Sequence, residues 1–577
     1  MENGEIAEKL TRISVLLEAK GEIRFKVAAY QKASQAVENS PRPLSQLYAE
    51  GGLKALMQIP GIGEGIARKI EEYIKTGGLK YHDELKKSLP PGIEELLEIP
   101  HLGPKTAILL ATRLGVKSAD ELAAALRAGK ARDLPRMGEK IEEKLLKGIE
   151  IYREGRGRML LGSALPLALR ILAWLTEEPS VKTAAYAGSL RRMKETVGDL
   201  DFLVAPKDPR NSDAVMEAFT GMPLVGEVVM RGRTKSQVRL KDGLEADLRV
   251  VAPSSFGAAL HYFTGSKAHN IMIRELGIKK GLKINEYGVF RGDKKVAGET
   301  EEGLFRALGL PFIPPEIREG TGEIEAALKG NLPRLLRDAD IRGDFHVHSS
   351  WSDGTETIAR IAARAQEMGY EYLAVSDHSR AVRIAGGLGI EELQKKNREI
   401  DALNKKLGNL RILKGAEVDI LKDGSLDYPD SVLAELDVVI ASVHSGFNLD
   451  EAAQTKRIIK ALGNRHVLIL GHPTGRLLSA REAYPVNLHE VIKAARNLGK
   501  CLELNAQTDR LDLSEAPLRE AKEAGVTIAV DSDSHNLPTL NLLSLFGVPM
   551  ARRGWLEPGD VLNARPLKEL LARLERG

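Results

Sequence analysis

Two short polar segments, ten positions apart, carry the side chains best suited to chemistry in the first half of the chain. Gly188 and Ser189 follow an apolar run, and Asp199 and Asp201 precede another. Alternation along a strand places the two aspartates on one face, where both carboxylates can hold Mg²⁺. A glycine at a strand end lets backbone N–H groups and a hydroxyl approach phosphate oxygens, and Arg192 adds positive charge. The pattern therefore predicts a triphosphate cradle beside a two-metal site.

A third carboxylate weighs against the alternative, an ordinary surface turn of the kind that often contains Gly-Asp-x-Asp. Asp247 lies in a later segment, 244–251, whose alternation predicts a strand. We expect it to join the first two aspartates. Three converging carboxylates fit phosphoryl transfer, in which one ion lowers the pKa of a primer hydroxyl and another holds the triphosphate.

Composition limits the class of protein. A chain of 577 residues can form several domains. The excess of positive charge lies in residues 1–340, which makes the front half the expected nucleic-acid partner. A single cysteine, Cys501, excludes an internal disulfide and is compatible with a reducing compartment. Without a signal segment or a long apolar run, we expect a cytoplasmic protein that does not bind membranes.

The first 150 residues read as helical and repeat an apolar-Pro-x-x-Gly pattern at 59–63, 99–103 and 134–138. Each copy resembles a helix-hairpin-helix motif, whose glycine turn exposes backbone N–H groups at a helix start to a DNA phosphate. Gly61, Gly63 and Gly103 are the predicted phosphate-contacting positions. A single copy could be an ordinary connection between helices, but three copies favour binding to DNA backbone.

The segment Tyr262-Phe263-Thr264-Gly265-Ser266 completes a set of motifs in a fixed order. With the Gly-Ser pair, the Asp-x-Asp pair and the third aspartate, it makes the front half resemble the family X DNA polymerases related to DNA polymerase beta. The resemblance implies that Ser189 and Arg192 bind the incoming triphosphate. It also implies two Mg²⁺ or Mn²⁺ ions on Asp199, Asp201 and Asp247, the last of which helps to activate the primer hydroxyl.

Four further residues take their predicted roles from the same resemblance. Tyr262 and Phe263, beside Gly265, match the wall that disfavours a ribose 2′-hydroxyl; the alternative is an aromatic pair that fills a core. Asn270 matches the residue that touches a base edge in the minor groove, and Arg274 the residue that contacts the template.

Lys69 matches, by motif position, the lysine with which some relatives remove a 5′-deoxyribose phosphate through a Schiff base. Such a lysine must lose its proton, which burial or nearby cations such as Lys26 and Arg68 promote. The alternative is that Lys69 only binds the 5′-phosphate of a gap.

The second half carries an ordered series of imidazoles and carboxylates, nearly all of which follow short apolar runs. Because a parallel barrel gathers its strand ends at one rim, these side chains are expected to converge there. Nine ligands suit about three ions better than one. The nine positions are His346, His348, Asp353, His378, Glu417, His444, His472, Asp533 and His535.

This series resembles the PHP phosphoesterase family. The resemblance implies hydrolysis of phosphate esters with Zn²⁺, Mn²⁺ or Fe²⁺, three ions in number, and Arg476 or Arg380 as phosphate-holding residues. His466 and His489 fall outside the pattern and are predicted to be structural.

The order of the two halves resembles bacterial and archaeal family X polymerases over essentially the whole chain. The predicted fold is a multidomain α+β polymerase followed by an α/β PHP barrel. Its predicted parts are a helical lyase-like DNA-binding domain (1–80), a helix-hairpin-helix domain (81–155), a nucleotidyltransferase palm (156–253), a nucleotide-selecting thumb-like domain (254–318), a linker (319–340) and the PHP domain (341–577).

The predicted function is gap filling on primer–template DNA with dNTPs during DNA repair, by a monomer. The barrel is predicted to act as a 3′–5′ exonuclease, with abasic-site incision and 3′-phosphate removal as further activities. Two alternatives stay open: a barrel that hydrolyses a small phosphate monoester, like histidinol-phosphate phosphatases, or a DNA-binding scaffold without catalysis.

Overall fold

The computed structural model describes residues 3–38, 40, 44–59, 61–99, 102–135, 137–155 and 158–574. Of the predicted hairpin motifs, Pro60, Pro100, His101 and Arg136 lie outside this set. The chain divides into two compact units, residues 1–156 with 479–481, and 157–478 with 482–577. Among the described helices, none has both the length and the apolar character that crossing a membrane requires.

The first unit is helical. One core of Leu, Ile, Val and Ala side chains runs through it, including Ile13, Leu56, Leu96 and Leu122. Ser118 caps α8 by accepting a hydrogen bond from the Glu121 N–H. The helices are α1 (Asn3–Lys20), α2 (Arg24–Glu38), α3 (Leu44–Leu56), α4 (Glu64–Thr76), α5 (Lys80–Lys87), α6 (Ile93–Leu97), α7 (Pro104–Leu114), α8 (Ala119–Arg127) and α9 (Glu139–Gly155).

The palm of the second unit is built on a five-stranded sheet in the order β2-β4-β7-β6-β5, in which only β4 and β7 run parallel. Helices α10 and α12 pack their apolar residues against it. The elements are β1 (Met159–Leu160), α10 (Leu161–Glu177), β2 (Val181–Tyr186), α11 (Gly188–Arg191), β3 (Thr196–Val197), β4 (Asp199–Pro206), α12 (Ser212–Thr220), β5 (Val225–Arg231), β6 (Lys235–Leu240) and β7 (Glu245–Val250).

A smaller helical and β part follows, with a core around Ile273, Phe305 and Ile313. Its elements are α13 (Phe256–Thr264), α14 (Lys267–Lys279), β8 (Lys283–Asn285), β9 (Gly288–Arg291), β10 (Lys294–Ala297), α15 (Glu301–Ala307) and α16 (Glu323–Leu328). Helix α16 lies inside the predicted linker. Its first residue, Glu323, is fully buried against His269, so this segment is packed where its glycines indicated a loose connection.

The C-terminal part is a parallel seven-stranded sheet, β11 to β17 in chain order, with helices between the strands. A bridge between Val347 and Ser534 joins the two edges, so the sheet nearly closes into the predicted barrel. Its elements are β11 (Gly343–Asp344), α17 (Ile358–Glu367), β12 (Tyr372–Val375), α18 (Ile390–Asn404), β13 (Arg411–Asp419), α19 (Asp430–Leu433), β14 (Val438–Ser442), α20 (Glu451–Leu462), β15 (Ile469–Leu470), α21 (Leu488–Leu498), β16 (Cys501–Asn505), α22 (Glu515–Ala524), β17 (Ile528–Asp531), α23 (Val548–Arg553) and α24 (Leu567–Leu574).

Candidate active sites

The three predicted catalytic aspartates lie on two neighbouring parallel strands of the palm. Asp199 and Asp201 are the first and third residues of β4, and the register pairs Asp201 with Asp247 of β7. Between the first two, Leu200 points into the core and is fully buried. The alternation that predicted a shared face is therefore present, and the parallel register brings the third carboxylate beside the second.

These carboxylates repel one another. Burial, followed by the charges of Asp199 and Asp247, raises the pKa of Asp201 to about 7. Burial and then Asp247 also raise the pKa of Asp199. Lys235 Nζ lies 3.0 Å from Asp247 Oδ2 and balances part of the charge. Mutually repelling carboxylates, here exposed at Asp199 and partly buried at Asp201 and Asp247, fit divalent cations, since cations would relieve the repulsion.

The predicted triphosphate cradle lies directly against the second aspartate. Gly188 has φ +63°, and a Cβ built on it would stand 2.3 Å from Asp201 Oδ2, so only glycine fits there. Ser189 follows in the short helix α11. The Arg192 guanidinium donates to the Thr264 carbonyl oxygen, and its Nε donates to Glu319 at 3.1 Å.

The Tyr262 segment ends helix α13 beside this cradle. A Cβ on Gly265 would lie 3.2 Å from Nη1 of Arg192, which places the Gly265 turn next to the predicted phosphate arginine. The rings of Tyr262 and Phe263 meet edge to face at 5.1 Å between centroids and are only partly buried. Both rings are therefore partly exposed and are not enclosed in a core.

The two residues predicted to contact DNA, Asn270 and Arg274, lie next to Tyr262. Asn270 Nδ2 donates to the Tyr262 carbonyl oxygen at 2.7 Å. Arg274 lies one helical turn further along α14, with its guanidinium 5.8 Å from the Tyr262 ring centroid. Asn270 itself is buried, whereas Arg274 is exposed beside the Tyr262 ring.

In the first unit, the hairpin glycines precede helices as predicted. Gly63 is the N-cap of α4 and Gly103 the N-cap of α7, and a Cβ on either would meet no atom within 4 Å. Gly61 has φ +90°, a left-handed conformation that favours glycine. Both helix starts thus face open space, which a phosphate could enter.

Lys69 lies on the exposed side of α4 among aromatic rings. Its Nζ is 4.7 Å from the Tyr81 ring centroid and donates to the Gly65 carbonyl oxygen at 3.1 Å. Burial, and to a lesser extent Lys26, lower the pKa of Lys69 against an opposing effect of Glu72. Arg68 is paired with Glu64 at 2.7 Å and is exposed, so it does not contribute the field predicted for it.

All nine predicted ligands of the barrel meet at the carboxyl ends of its strands. Glu417, at 1% exposure, is the centre: its carboxylate lies 2.8 Å from His378 Nδ1, 2.8 Å from His472 Nε2 and 3.2 Å from His444 Nε2. Three groups have ligand atoms within 4.8 Å of one another. They are His348, Asp353, His378 and His535; His346, His348 and Asp533; and His378, Glu417 and His444.

The ring nitrogens of this cluster fit metal ions. Buried nitrogens of His346, His348, His378 and His472 have no hydrogen-bond partner among the described residues. Burial, then His535 and His378, lower the pKa of His348 to about 4, whereas at His378 burial is outweighed by Glu417 and Asp353, which raise its pKa to about 10. A cation bound at His378 would replace that proton. Unpaired imidazole nitrogens that face carboxylates are the donor set that Zn²⁺, Mn²⁺ or Fe²⁺ would take.

Sequence reasoning missed the residues that orient these ligands. Glu503 of β16 accepts from or shares a proton with His346 Nδ1 at 2.6 Å, and Asp419 does the same with His444 Nδ1 at 3.1 Å. Glu503 stands between two leucines of β16, and that was an available signal, whereas Asp419 ends a strand that already contains Arg411, Lys414 and Glu417. Neither strand predicts which histidine the acid will meet.

The two arginines predicted to hold phosphate are each paired with a carboxylate. Arg380 is paired with Asp427, and Arg476 with Glu195 of the palm. Arg510 instead lies beside the cluster, with Nε 3.8 Å from Asp533 Oδ2. His466 and His489 lie apart from the ligand groups; His489 pairs with Glu520 at the surface.

Four family models match parts of the chain. They are described as a helix-hairpin-helix domain (residues 1–79), a SAM-like helix-hairpin-helix tandem (93–150), a DNA polymerase beta thumb (259–319) and a PHP domain (344–507). The chain is also 41% identical to the DNA polymerase/3′-5′ exonuclease PolX of Bacillus subtilis, with 100% of both chains covered. The chain belongs to the PolX family of family X DNA polymerases. The predicted fold, a polymerase followed by a PHP barrel, is thereby confirmed.

Two other proteins are similar to separate parts of this chain. DNA polymerase lambda of Rattus norvegicus is 26% identical over 55% of this chain and 56% of its own. A probable phosphatase of Thermoanaerobacter sp. is 34% identical over 33% of this chain and 78% of its own. Membership in the PolX family confirms the prediction of a DNA polymerase, and it implies DNA and nucleotide substrates and dependence on divalent metal ions.

Proposed function

We propose that the palm fills short gaps in DNA during repair, by transfer of a nucleotide to a primer 3′-hydroxyl with Mg²⁺ or Mn²⁺. The observation that carries the proposal is the parallel pairing of Asp201 with Asp247, with Gly188 packed against Asp201. Asp199, Asp201 and Asp247 would hold the ions. When bound, the ions lower the pKa of the attacking hydroxyl and neutralise the leaving group.

The chain's own side chains have distinct tasks in this proposal. Ser189 and Arg192 bind the triphosphate; the guanidinium can form charge-assisted bonds to phosphate oxygens. Tyr262 and Phe263 limit the space beside the sugar. Asn270, bonded to the Tyr262 carbonyl oxygen, would contact the base edge, and Arg274, beside the Tyr262 ring, would contact the template.

The test is incorporation of dNTPs into gapped DNA by Asp199→Asn and Asp201→Asn variants. Each is expected to lose incorporation by about a hundredfold to a thousandfold, the usual effect of removing one charge-stabilising group. DNA affinity should stay close to that of the original protein. Asp208→Asn is the matched control because Asp208 pairs with Arg210 outside the site. Unchanged incorporation by Asp201→Asn would refute the assignment, and DNA binding by the original protein without any incorporation would favour a DNA-binding scaffold.

We propose further that the barrel is a 3′–5′ exonuclease, with abasic-site incision and 3′-phosphate removal as additional activities, and that it holds three ions of Zn²⁺, Mn²⁺ or Fe²⁺. The three ligand groups share His348 and His378, which supports three adjoining ions. When bound, such ions activate water and neutralise phosphate oxygens. Arg510, beside Asp533, would hold a non-bridging phosphate oxygen.

A phosphate monoesterase is the second candidate for the barrel, since a probable phosphatase matches this part of the chain. The full chain is to be assayed on 3′-labelled DNA and on histidinol phosphate, with His346→Ala and Glu417→Gln as inactive forms and His466→Ala as the control outside the cluster. If His346→Ala and Glu417→Gln lose DNA degradation but keep DNA synthesis, the result supports the nuclease proposal. Turnover of histidinol phosphate alone would overturn it.

Three finer points complete the proposal. The domain limits are those predicted from the sequence, with α16 packed inside the segment 319–340. The active form is a monomer. Gly61, Gly63 and Gly103 contact DNA phosphates. Lys69 meets the 5′-deoxyribose phosphate of a gap, either as a Schiff-base lysine or as a phosphate ligand. Its lowered pKa favours the Schiff-base role.

A further inference from the structure

Helix α23 of the barrel part contacts the predicted triphosphate arginine of the palm. Arg553 Nη1 donates to the backbone carbonyl oxygen of Arg192 and lies 3.1 Å from Glu319 Oε1. The same Glu319 oxygen accepts from Arg192 Nε at 3.1 Å. One carboxylate oxygen therefore joins two guanidinium groups that are separated by 361 positions in the chain.

The contact is buried and has further partners. The Arg553 side chain is 1% exposed, against 13% for Arg192 and 15% for Glu319. Arg553 also forms an ion pair with Glu515, the first residue of α22. Lys194 Nζ lies 3.1 Å from Glu515 and 3.6 Å from Glu319. A buried guanidinium with this many fixed partners has one well-defined position.

We propose that Arg553 is a positioning residue of the polymerase: through Glu319 and the Arg192 backbone, the barrel part fixes the Arg192 guanidinium against the Gly265 turn, where it meets the triphosphate of the incoming nucleotide. This inference rests on the proposed triphosphate role of Arg192. It assigns to the C-terminal part of the chain a task in nucleotide binding that is separate from its own metal cluster.

Two physical effects follow from the geometry. Arg553 anchors both the main chain and the side-chain partner of Arg192, so its loss would let the guanidinium leave the Thr264 carbonyl oxygen. Arg553 also takes a share of the Glu319 charge. Without it, Glu319 would pair more fully with Arg192 and compete with the triphosphate for the same guanidinium.

Arg552, the neighbouring residue of α23, gives a matched control. It donates to Glu316 at 2.8 Å and to the Leu336 carbonyl oxygen at 3.1 Å, and it has no bond to Arg192 or Glu319. Both arginines hold the barrel part to the rest of the unit. Only Arg553 reaches the nucleotide-binding residue, so the pair separates positioning from general support.

The experiment is steady-state gap filling by the full chain over a range of dNTP concentrations, with nuclease turnover and thermal unfolding measured on each variant. Arg553→Ala should raise the KM for dNTP about tenfold, the size of one lost charge-assisted bond, with kcat within threefold. Arg553→Lys should give an intermediate KM, since an ammonium lacks the planar fork whose second nitrogen also pairs with Glu515. Arg552→Ala should leave KM unchanged.

Equal KM values for Arg553→Ala and Arg552→Ala would overturn the inference. If Arg553→Ala does not fold, Arg553→Lys and Glu515→Gln decide, and an unchanged KM in both is again contrary. Arg192→Ala separates the two proposals: if it leaves the KM for dNTP unchanged, the triphosphate role of Arg192 is wrong. If it raises KM while Arg553→Ala does not, only the positioning role is wrong.

Discussion

Arg476 of the barrel and Glu195 of the palm form a two-point ion pair, with Nη2 2.6 Å from Oε1 and Nη1 3.2 Å from Oε2. The same guanidinium donates from Nε to the Arg510 carbonyl oxygen at 2.9 Å and from Nη2 to that of Leu511. Glu195 therefore acts, through Arg476, on the loop that places Arg510 near Asp533. A palm residue supports the nuclease side of the molecule.

Arg476→Ala is expected to reduce DNA degradation about tenfold or more, because hydrogen bonds that involve a charged group contribute about 1.5–3 kcal/mol each. Glu195→Gln keeps one bond and should have a smaller effect. The measurement is degradation of 3′-labelled DNA beside gap filling on the same preparations. Arg519→Ala is the control, since Arg519 bonds the Thr321 carbonyl oxygen without touching the Arg510 loop. Equal nuclease rates in Arg476→Ala and Arg519→Ala would contradict this role.

The hairpin glycines differ in what an added methyl group would do. Gly63 has φ −82° and open space around its Cβ position, so Gly63→Ala should fold normally yet weaken DNA binding by hindering the phosphate. Gly61→Ala must hold φ +90° and should lose about 1–2 kcal/mol of stability. Fluorescence anisotropy on gapped DNA at several salt concentrations measures the first effect, and urea unfolding the second.

Gly65→Ala is the matched control for both variants, since it lies inside α4 with open space at its Cβ. An alanine at this second residue of the helix should stabilise the protein by less than about 1 kcal/mol, the value for a helix interior, and leave DNA affinity unchanged. DNA affinity that falls as much in Gly65→Ala as in Gly63→Ala would argue against a phosphate contact at the helix start.

Two buried histidines behind the Tyr262 segment make stability depend on pH. His261 and His269 face each other, with their Nε2 atoms 3.2 Å apart. Burial, then Arg318 and His269, hold the pKa of His261 well below its usual value of 6.5. The unfolded chain therefore binds a proton below about pH 6.5 that the folded chain does not, so stability is present above that pH and is lost as pH falls.

His261→Gln should remove up to about 1.4 kcal/mol of this loss per pH unit below 6.5. The free energy of unfolding of each protein is measured at pH 7.5 and at pH 5.5. Subtracting the change in the variant from the change in the original protein cancels the contributions of the other histidines. Glu323, whose carboxylate is 2.7 Å from His269 Nδ1, stays charged in this window because its pKa lies below 4.5. Parallel pH profiles for variant and original would show that His261 is not the group involved.

Lys69 should form a covalent adduct with a 5′-deoxyribose phosphate. Burial lowers its pKa, so a larger fraction of its amine is neutral and nucleophilic at pH 7.5 than for an exposed lysine. Borohydride trapping on gapped DNA that carries a labelled 5′-deoxyribose phosphate is expected to label the protein. Lys69→Arg should abolish labelling while it keeps the positive charge. Arg68→Ala, at an exposed position on the same helix, should trap normally. Trapping that persists in Lys69→Arg would leave phosphate binding as the role of Lys69.

The sequence predicted the sites where local pattern determines geometry. Alternation along β4 gave the shared face of Asp199 and Asp201, and the strand-end positions of the barrel histidines gave their convergence. Contacts between distant elements had no such pattern. Arg553 and Glu319 are 234 positions apart, and either alone reads as a solvated charge. The glycines of 319–340 indicated a linker because pattern cannot show that Glu323 has a buried histidine as its partner.

Gly188 lies between the proposed triphosphate site and the Asp201 carboxylate, with no space for a side chain. Its backbone turns toward the position proposed for phosphate, and the missing side chain is the space that the Asp201 carboxylate occupies. A methyl group there would collide with the Asp201 carboxylate, the proposed metal ligand. The proposed triphosphate and metal sites thus share one atom-sized clearance, and a side chain at position 188 would have to displace that carboxylate.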